Sequence, residues 1–378
     1  MGNLCASFEG KPVPARQSSP RHSSNVQQGL KSSKRLSRIR PSRSKSDDSM
    51  LQEHALATAI LFRQHQLDGG ASFPFNRSVP NSPCPKKGQY LPSSSSSRAW
   101  SPADTLFQPH QLVNQEIKHD DLETNHFVLV HGGGFGAWCW YKTIALLEEG
   151  GFKVTAIDLT GSGIHSFDPN GITSLAQHVK PLTDFLEKHA DGEKVILVGH
   201  DFGGTCISYA MELFPPRIAK AVFIAATMVT NGQSTLDMFS QQAGSIDLMQ
   251  QARSFLYANG SDHPPTAVEL DKSLSGYLLF NESPSKDVAL ASVLMRQIPF
   301  APVLEKLLLS EMKYGSVRRF YIETLQDNAI PITLQESMIN SNPPEKVFCL
   351  KGADHSPFFS KPQSLHKLLV EISKMPST

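Results

Sequence analysis

From Asn125 to the C-terminus the apolar residues fall into two alternating rhythms. Phe127-Val-Leu-Val130 is a short unbroken run of β-formers stopped by His131 and a string of glycines, the pattern of a strand buried on both faces. Trp138 to Glu149 then carries apolar residues at helical spacing and ends at Gly150-Gly151. The same exchange repeats down the chain. Strands are predicted at 153–157, 195–198, 221–225, 317–322 and 346–350, and helices at 175–189, 203–214 (stopped by Pro215-Pro216) and 363–374. Strands alternating with helices predict an α/β fold, a mostly parallel sheet with helices on both faces, formed by residues 122–378, a length sufficient for one domain.

Two regions depart from this rhythm. Between about 228 and 312 the spacing is mostly helical and is broken by polar loops such as Asn259-Gly-Ser-Asp-His263. An insertion at that point predicts a helical lid over the carboxyl ends of the strands, where open α/β sheets bind ligands. Residues 1–121 have no pattern of a packed domain. Their Ser/Arg-rich stretch at 32–46, the Ser93–Ser97 run and the many prolines bury too little apolar surface to offset chain entropy. Within the 47–121 linker one island stands out: residues 49–66 open with a Ser49, Gln52 capping box ahead of Leu51, Ala55, Leu56, Ala59, Ile60 and Phe62, which predicts a short amphipathic helix.

Charge sharpens the division. The 36 Lys+Arg and 35 Asp+Glu nearly cancel over the chain, but residues 1–46 hold ten Lys/Arg against the single acid Glu9, a net +9, so the remaining 26 basic and 34 acidic residues leave −8. An acidic body argues against a nucleic-acid partner, and no apolar run is long enough for a transmembrane segment. The five cysteines are odd in number and widely spaced, without a metal-ligand pattern, so neither a disulfide framework nor a structural zinc site is expected. The basic arm has the composition of an organelle transit peptide; Gly2 with Cys5 offers the competing reading of N-terminal lipidation on a membrane.

The strongest chemical signal is Val195-Ile-Leu-Val-Gly-His-Asp-Phe-Gly-Gly204. It has the small-x-nucleophile-x-small form of a strand turning sharply into a helix, with Gly199 and Gly203 as the small residues and Asp201 at the tip, where an esterase has Ser. Asp327 and His355 follow, each just after a predicted strand, in the chain order nucleophile, acid, histidine. Glu323 and Asp354 compete for the acid role but belong to a strand or adjoin the histidine. Upstream, His131-Gly-Gly-Gly-Phe-Gly136 follows the first strand of the domain, and the amide of Gly133 with that of Phe202 is the candidate oxyanion hole. His131 and His200 are expected to make structural hydrogen bonds. Trp138, Phe202, Met228 and Phe239 suit either a pocket wall or the core.

With these residues in place the chain resembles the plant methylesterases of the α/β-hydrolase superfamily, relatives of the salicylic-acid-binding esterase and the hydroxynitrile lyases. The resemblance runs from His126 to the C-terminus, through His-Phe-Val-Leu-Val-His-Gly at 126–132, Ala137-Trp-Cys-Trp-Tyr-Lys142, 195–200, Asp327 to Pro331 and Gly352 to His355. It is nearest the subgroup described as chloroplastic, with long N-terminal extensions. The resemblance implies an α/β-hydrolase fold, a triad of Asp201, Asp327 and His355, oxyanion donors at Gly133 and Phe202, no cofactor and no metal. It also implies methyl esters of small plant hormones or related carboxylic acids as substrates and a chloroplast address; a homodimer stays open as a partner state.

The family's lyases carry Thr at the position of Gly132 and Lys at that of Ser356, which disfavours lyase chemistry. An elbow Asp leaves two alternatives beside methyl-ester hydrolysis: a catalytically degenerate pocket that binds a small carboxylic acid or ester, and an Asp-nucleophile hydrolase of the epoxide-hydrolase type. The segment Gly132, Gly134, Ala137 followed by Asp158 also satisfies a dinucleotide-binding fingerprint, but that reading leaves the elbow, the acid and the histidine idle.

Overall fold

A computed structural model of the protein describes residues 122–240 and 247–376. The basic arm with Gly2 and Cys5, the 47–121 linker and its expected helix at 49–66 lie outside the described residues.

Six strands form one parallel sheet. They are β1 (His126–Val130), β2 (Lys153–Ile157), β3 (Val195–His200), β4 (Ile218–Ile224), β8 (Arg318–Thr324) and β9 (Lys346–Leu350), in the order β2-β1-β3-β4-β8-β9. The four inner strands are wholly or almost wholly buried, which is why β1 and most of β3 read as unbroken apolar runs, while β4 and β8 carry Lys220 and Arg318-Arg319 beside their apolar stretches. Their side chains alternate between two cores. Val128, Val130, Val195 and Leu197 pack on one face with Cys206, Ile207, Ala210 and Met211 of helix Gly203–Leu213. Phe127, Leu129, Ile196 and Val198 pack on the other with Trp140 and with Leu365, Leu369 and Ile372 of helix Pro362–Ser373. Burying both faces is worth roughly 1.5–3 kcal/mol for each fully covered Val, Leu, Ile or Phe.

Three departures from the expected elements have local causes. The predicted helix at 175–189 is two pieces, Leu175–His178 and Lys180–Glu187, because Pro181 cannot donate a backbone hydrogen bond and so starts a new first turn. Helix Ile332–Ser341, between β8 and β9, begins after Pro331 and is one that apolar spacing alone does not single out. The excursion between β4 and β8 holds helices at Thr235–Ser240, Lys272–Leu279 and Ser285–Leu294, as its spacing predicts, together with a three-stranded antiparallel sheet. Its strands, β5 (Arg253–Leu256), β6 (Ala267–Leu270) and β7 (Ile298–Pro299), have four, four and two residues, too few to register as a periodicity. Among the described residues no helix is long and apolar enough to cross a membrane.

Candidate active site

Parallel strands place their carboxyl ends along one edge of the sheet. The turns after β1, β3, β8 and β9 on that edge carry Gly133, Asp201, Asp327 and His355. Gly133, Asp201, Phe202 and His355 line one cavity.

The turn after β3 is strained and held. Asp201 has φ 48°, in the left-handed region that residues with a Cβ rarely adopt; only Ala225 shares this among the described non-glycine residues. Such a conformation costs on the order of 1–3 kcal/mol and persists where the surroundings over-determine it. The Asp201 carbonyl accepts from the Gly204 and Thr227 amides, both at 3.0 Å, and from the Thr227 hydroxyl at 3.1 Å. The flanking glycines are required by space. A Cβ on Gly199 would meet the Gly203 carbonyl oxygen at 2.8 Å, and one on Gly203 would meet the Val130 and His131 carbonyls at 2.7 Å.

The Asp201 carboxylate lies against the loop after β1, where Gly133 N–H donates to its Oδ2 at 2.8 Å. The expected oxyanion donor thus faces the elbow residue itself. Among the described residues the Phe202 N–H, the other expected donor, has no hydrogen-bond acceptor. Gly132 completes the fit. A Cβ there would lie 2.6 Å from the Asp201 Cβ and 2.7 Å from Oδ2, so the carboxylate fills the space that a side chain at 132 would need. Glycine at 132 and aspartate at 201 are therefore sterically matched.

His355 and Asp327 are joined, Nδ1 to Oδ2, at 2.9 Å, with both side chains essentially buried. Asp327 is itself fixed: Oδ1 accepts from the Ala329 and Ile330 amides at 2.8 Å, and Oδ2 from the Thr324 hydroxyl at 3.0 Å. Burial pushes the imidazole's pKa down, but the charge and hydrogen bond of Asp327, with Asp201 and Asp354 nearby, more than offset it and raise His355 to about 9. The competing acids have other partners. Glu323 accepts from the Cys349 thiol, and Asp354 accepts from Ser283, Ser360 and the amides of Glu282 and Ser356.

The two neighbouring histidines are neutral and structural. His131 Nδ1 donates to the Gly132 carbonyl at 2.8 Å, so Nε2 accepts from the Leu159 amide at 3.2 Å, and burial lowers the ring's pKa. His200 Nε2 donates to the His355 carbonyl at 2.7 Å; burial and the charge of His355 hold it down to about 3. Asp158 is engaged by backbone, taking the Ala137 and Ile164 amides, so the acid of the dinucleotide fingerprint already has its partners in the fold.

The opposite wall of the cavity comes from the β4–β8 excursion and is almost wholly apolar, with Phe255, Val268, Ile298 and Phe300. Of the residues open to either reading, Phe202 and Phe239 line the cavity, whereas Met228 is in the core and Trp138 packs against Phe135 and Phe359. One lining residue has no sequence signal at all. Arg253, on β5, extends into this apolar wall with its guanidinium 5.4 Å from the centre of the Phe239 ring. Among the described residues no carboxylate lies within ion-pair distance of it. Burial lowers its pKa, opposed by the charge of Asp201 across the cavity.

The same fold and segments recur in known proteins. Residues 127–367 match the model of the alpha/beta hydrolase family. "Putative methylesterase 11, chloroplastic" of Arabidopsis thaliana is 67% identical, over 99% of each chain. "Methyl jasmonate esterase 1" of Vitis vinifera is 37% identical, over 65% of this chain and 96% of its own. Among solved structures, a methylesterase from Arabidopsis matches with TM-score 0.59 and 35% identity over 65% of this chain and 98% of its own. Polyneuridine aldehyde esterase matches with TM-score 0.62 and 33% identity over 66% and 99%. On this fold and these matches the chain belongs to the α/β-hydrolase family and, within it, to the plant methylesterases.

Proposed function

We propose that the protein hydrolyses methyl esters of small, largely apolar carboxylic acids, with Asp201 as nucleophile, His355 as general base for the water that follows, and Asp327 orienting His355. The observation that carries this reading is the meeting of three groups: the Asp201 carboxylate in the cavity, His355 in the same lining and held by the buried Asp327, and the Gly133 and Phe202 amides beside Asp201. A carboxylate needs no deprotonation to attack, so the Ser-to-Asp difference changes the intermediate rather than removing the nucleophile. The apolar wall suits an aromatic or aliphatic acid, consistent with a relative named for methyl jasmonate. The names of the chloroplastic relatives and the +9 arm support import into the chloroplast.

The second reading, a binding pocket without turnover, is favoured by one observation: Asp201 Oδ2 occupies the Gly133 N–H that a substrate carbonyl would need. The two separate in one assay series. Purified protein is offered the methyl esters of indole-acetic, salicylic and jasmonic acids beside Asp201→Asn, Asp201→Ser and His355→Ala. The hydrolase reading expects turnover by the wild type and its loss in Asp201→Asn and His355→Ala. A silent wild type with an active Asp201→Ser removes Asp201 as nucleophile. Tight binding of the free acids without turnover establishes the binding role. Imaging Gly2→Ala beside the wild type separates plastid import, which it leaves unchanged, from lipidation, which it abolishes; light scattering on the purified protein decides the homodimer.

A further inference from the structure

We infer that this site cleaves the alkyl–oxygen bond of its ester rather than the acyl–oxygen bond, and that Arg253 receives the departing carboxylate. The inference rests on the reading of Asp201 as nucleophile and asks which carbon it attacks.

Attack on the acyl carbon places negative charge on the substrate's carbonyl oxygen, and that charge needs the Gly133 and Phe202 amides. Gly133 is already taken by Asp201 Oδ2 at 2.8 Å. Releasing it breaks a charge-assisted hydrogen bond at the moment the donor is most needed. Attack on the saturated methyl carbon has no such conflict. Oδ2 stays on Gly133, and Oδ1, which has no hydrogen bond among the described residues, is the free oxygen. Gly132 leaves the carboxylate the room to sit this way.

The bonds then balance in two steps. A lone pair of Asp201 Oδ1 forms the bond to the methyl carbon as the carbon–oxygen bond to the acid breaks, and its electron pair leaves with the acid as a carboxylate. In the second step His355 takes a proton from water, hydroxide adds to Asp201 Cγ, and the negative charge that develops on Oδ2 finds the Gly133 amide already in place. Collapse returns the proton from His355 to the departing methanol oxygen and leaves Asp201 as the protonated carboxyl, which regains its charge when that proton passes to the freed imidazole and on to solvent. The sum is ester plus water to acid plus methanol.

The first step moves one negative charge from Asp201 across the cavity to the leaving acid, and among the described residues the opposite wall holds one cation, Arg253. Arg253 lies among apolar side chains and is without a carboxylate within ion-pair distance among the described residues. An unpaired, partly buried guanidinium is costly unless an anion reaches it, and its planar fork matches a carboxylate. Acyl–oxygen cleavage expels methanol, which is neutral once protonated and has no use for a cation there. The first step also neutralises Asp201, one of the charges that hold the proton on His355, so the imidazole is released to act as base when water must be activated.

The test is the fate of oxygen during turnover by the full chain in 18O-water, with methyl jasmonate and methyl indole-acetate as probes. Alkyl–oxygen cleavage leaves the acid unlabelled, puts the first 18O into the Asp201 peptide, and delivers label to methanol from the second turnover onward. His355→Gln traps the intermediate as an Asp201 peptide heavier by one CH2. Arg253→Met lowers kcat roughly 10- to 100-fold with a smaller change in KM, and the loss shrinks with methyl esters of more acidic acids, a dependence that a merely structural arginine does not produce. One 18O in the product acid overturns the inference while leaving the hydrolase reading intact. No turnover of any ester by the wild type overturns both.

Discussion

The two walls of the cavity differ in how the chain makes them. The sheet wall presents Gly133, Asp201 and His355 at the ends of buried parallel strands, with Asp201 held by the Gly133 amide and by flanking glycines that have no room for a Cβ, and His355 held by the Asp327 carboxylate. The facing wall comes from short antiparallel strands and helices of the β4–β8 excursion and presents, among the described residues, apolar side chains with one cation, Arg253. The first wall is over-determined and carries the groups proposed to make and break bonds. The second is lightly constrained and sets what can bind, which is the division expected when reactive groups sit on a rigid scaffold and selectivity on what covers it.

If that contrast is right, changes on the sheet wall have the larger effects. Asp327→Ala leaves His355 without its buried partner and is expected to lower kcat/KM by roughly 10³- to 10⁴-fold, read by steady-state kinetics. A loss under tenfold would show that the pair does not organise the base. Gly203→Ala next introduces a Cβ 2.7 Å from two carbonyl oxygens and is expected to cost roughly 1–3 kcal/mol in urea unfolding, with activity lost as the elbow shifts. An unchanged unfolding midpoint would mean that the turn is looser than its contacts imply.

The same contrast explains what was legible in the sequence. The innermost strands announce themselves, because burial on both faces demands a nearly unbroken apolar run, whereas the edge strands β2 and β9 show only as short stretches of β-formers; the site residues sit beside these strands in a fixed chain order. Phe127–Val130 and Val195–Val198 are visible for this reason, and through them so are Gly133 and Asp201. The pairing of Gly132 with Asp201 is not visible, because it arises from two loops 69 positions apart meeting in space. Arg253 is equally silent: it follows Gln250-Gln-Ala252 and begins a four-residue strand, so nothing in its neighbours marks it as facing a cavity. Pro181 was a local signal that the helical spacing around it conceals.

Acid and base conditions probe the two sides of the sheet edge through its histidines. His178 and His200 are held at about 3 in the folded chain by burial, against an ordinary 6.5, so below 6.5 the unfolded chain takes up protons that the folded one refuses. Their contribution is present above pH 6.5 and is lost as pH falls toward 3, by roughly 1.4 kcal/mol per pH unit for each. His355 has the opposite sign. Raised to about 9, it contributes stability that is complete below pH 6.5 and is lost as pH rises through 9. The two windows meet, so urea midpoints are expected to peak near pH 6.5 and to fall on both sides. His355→Gln flattens the alkaline limb and, by removing a charge that helps hold His200 down, also softens the acid limb. A wild-type profile level from pH 5 to 8 would refute the assignment of these charges.

Arg253 gives the smallest expected change in stability and the sharpest contrast with the sheet wall. Arg253→Met keeps the apolar length of the side chain, removes a guanidinium that has no anionic partner within reach among the described residues, and forfeits a ring contact worth roughly 0.5–1 kcal/mol. Relief of the desolvated charge opposes that loss, so the net shift in Tm is expected to stay within about 2 °C. A residue whose removal leaves the fold alone but slows turnover is present for the ligand. If instead Tm drops as far as it does for Gly203→Ala, Arg253 holds the facing wall together, and the two walls of the cavity are equally structural.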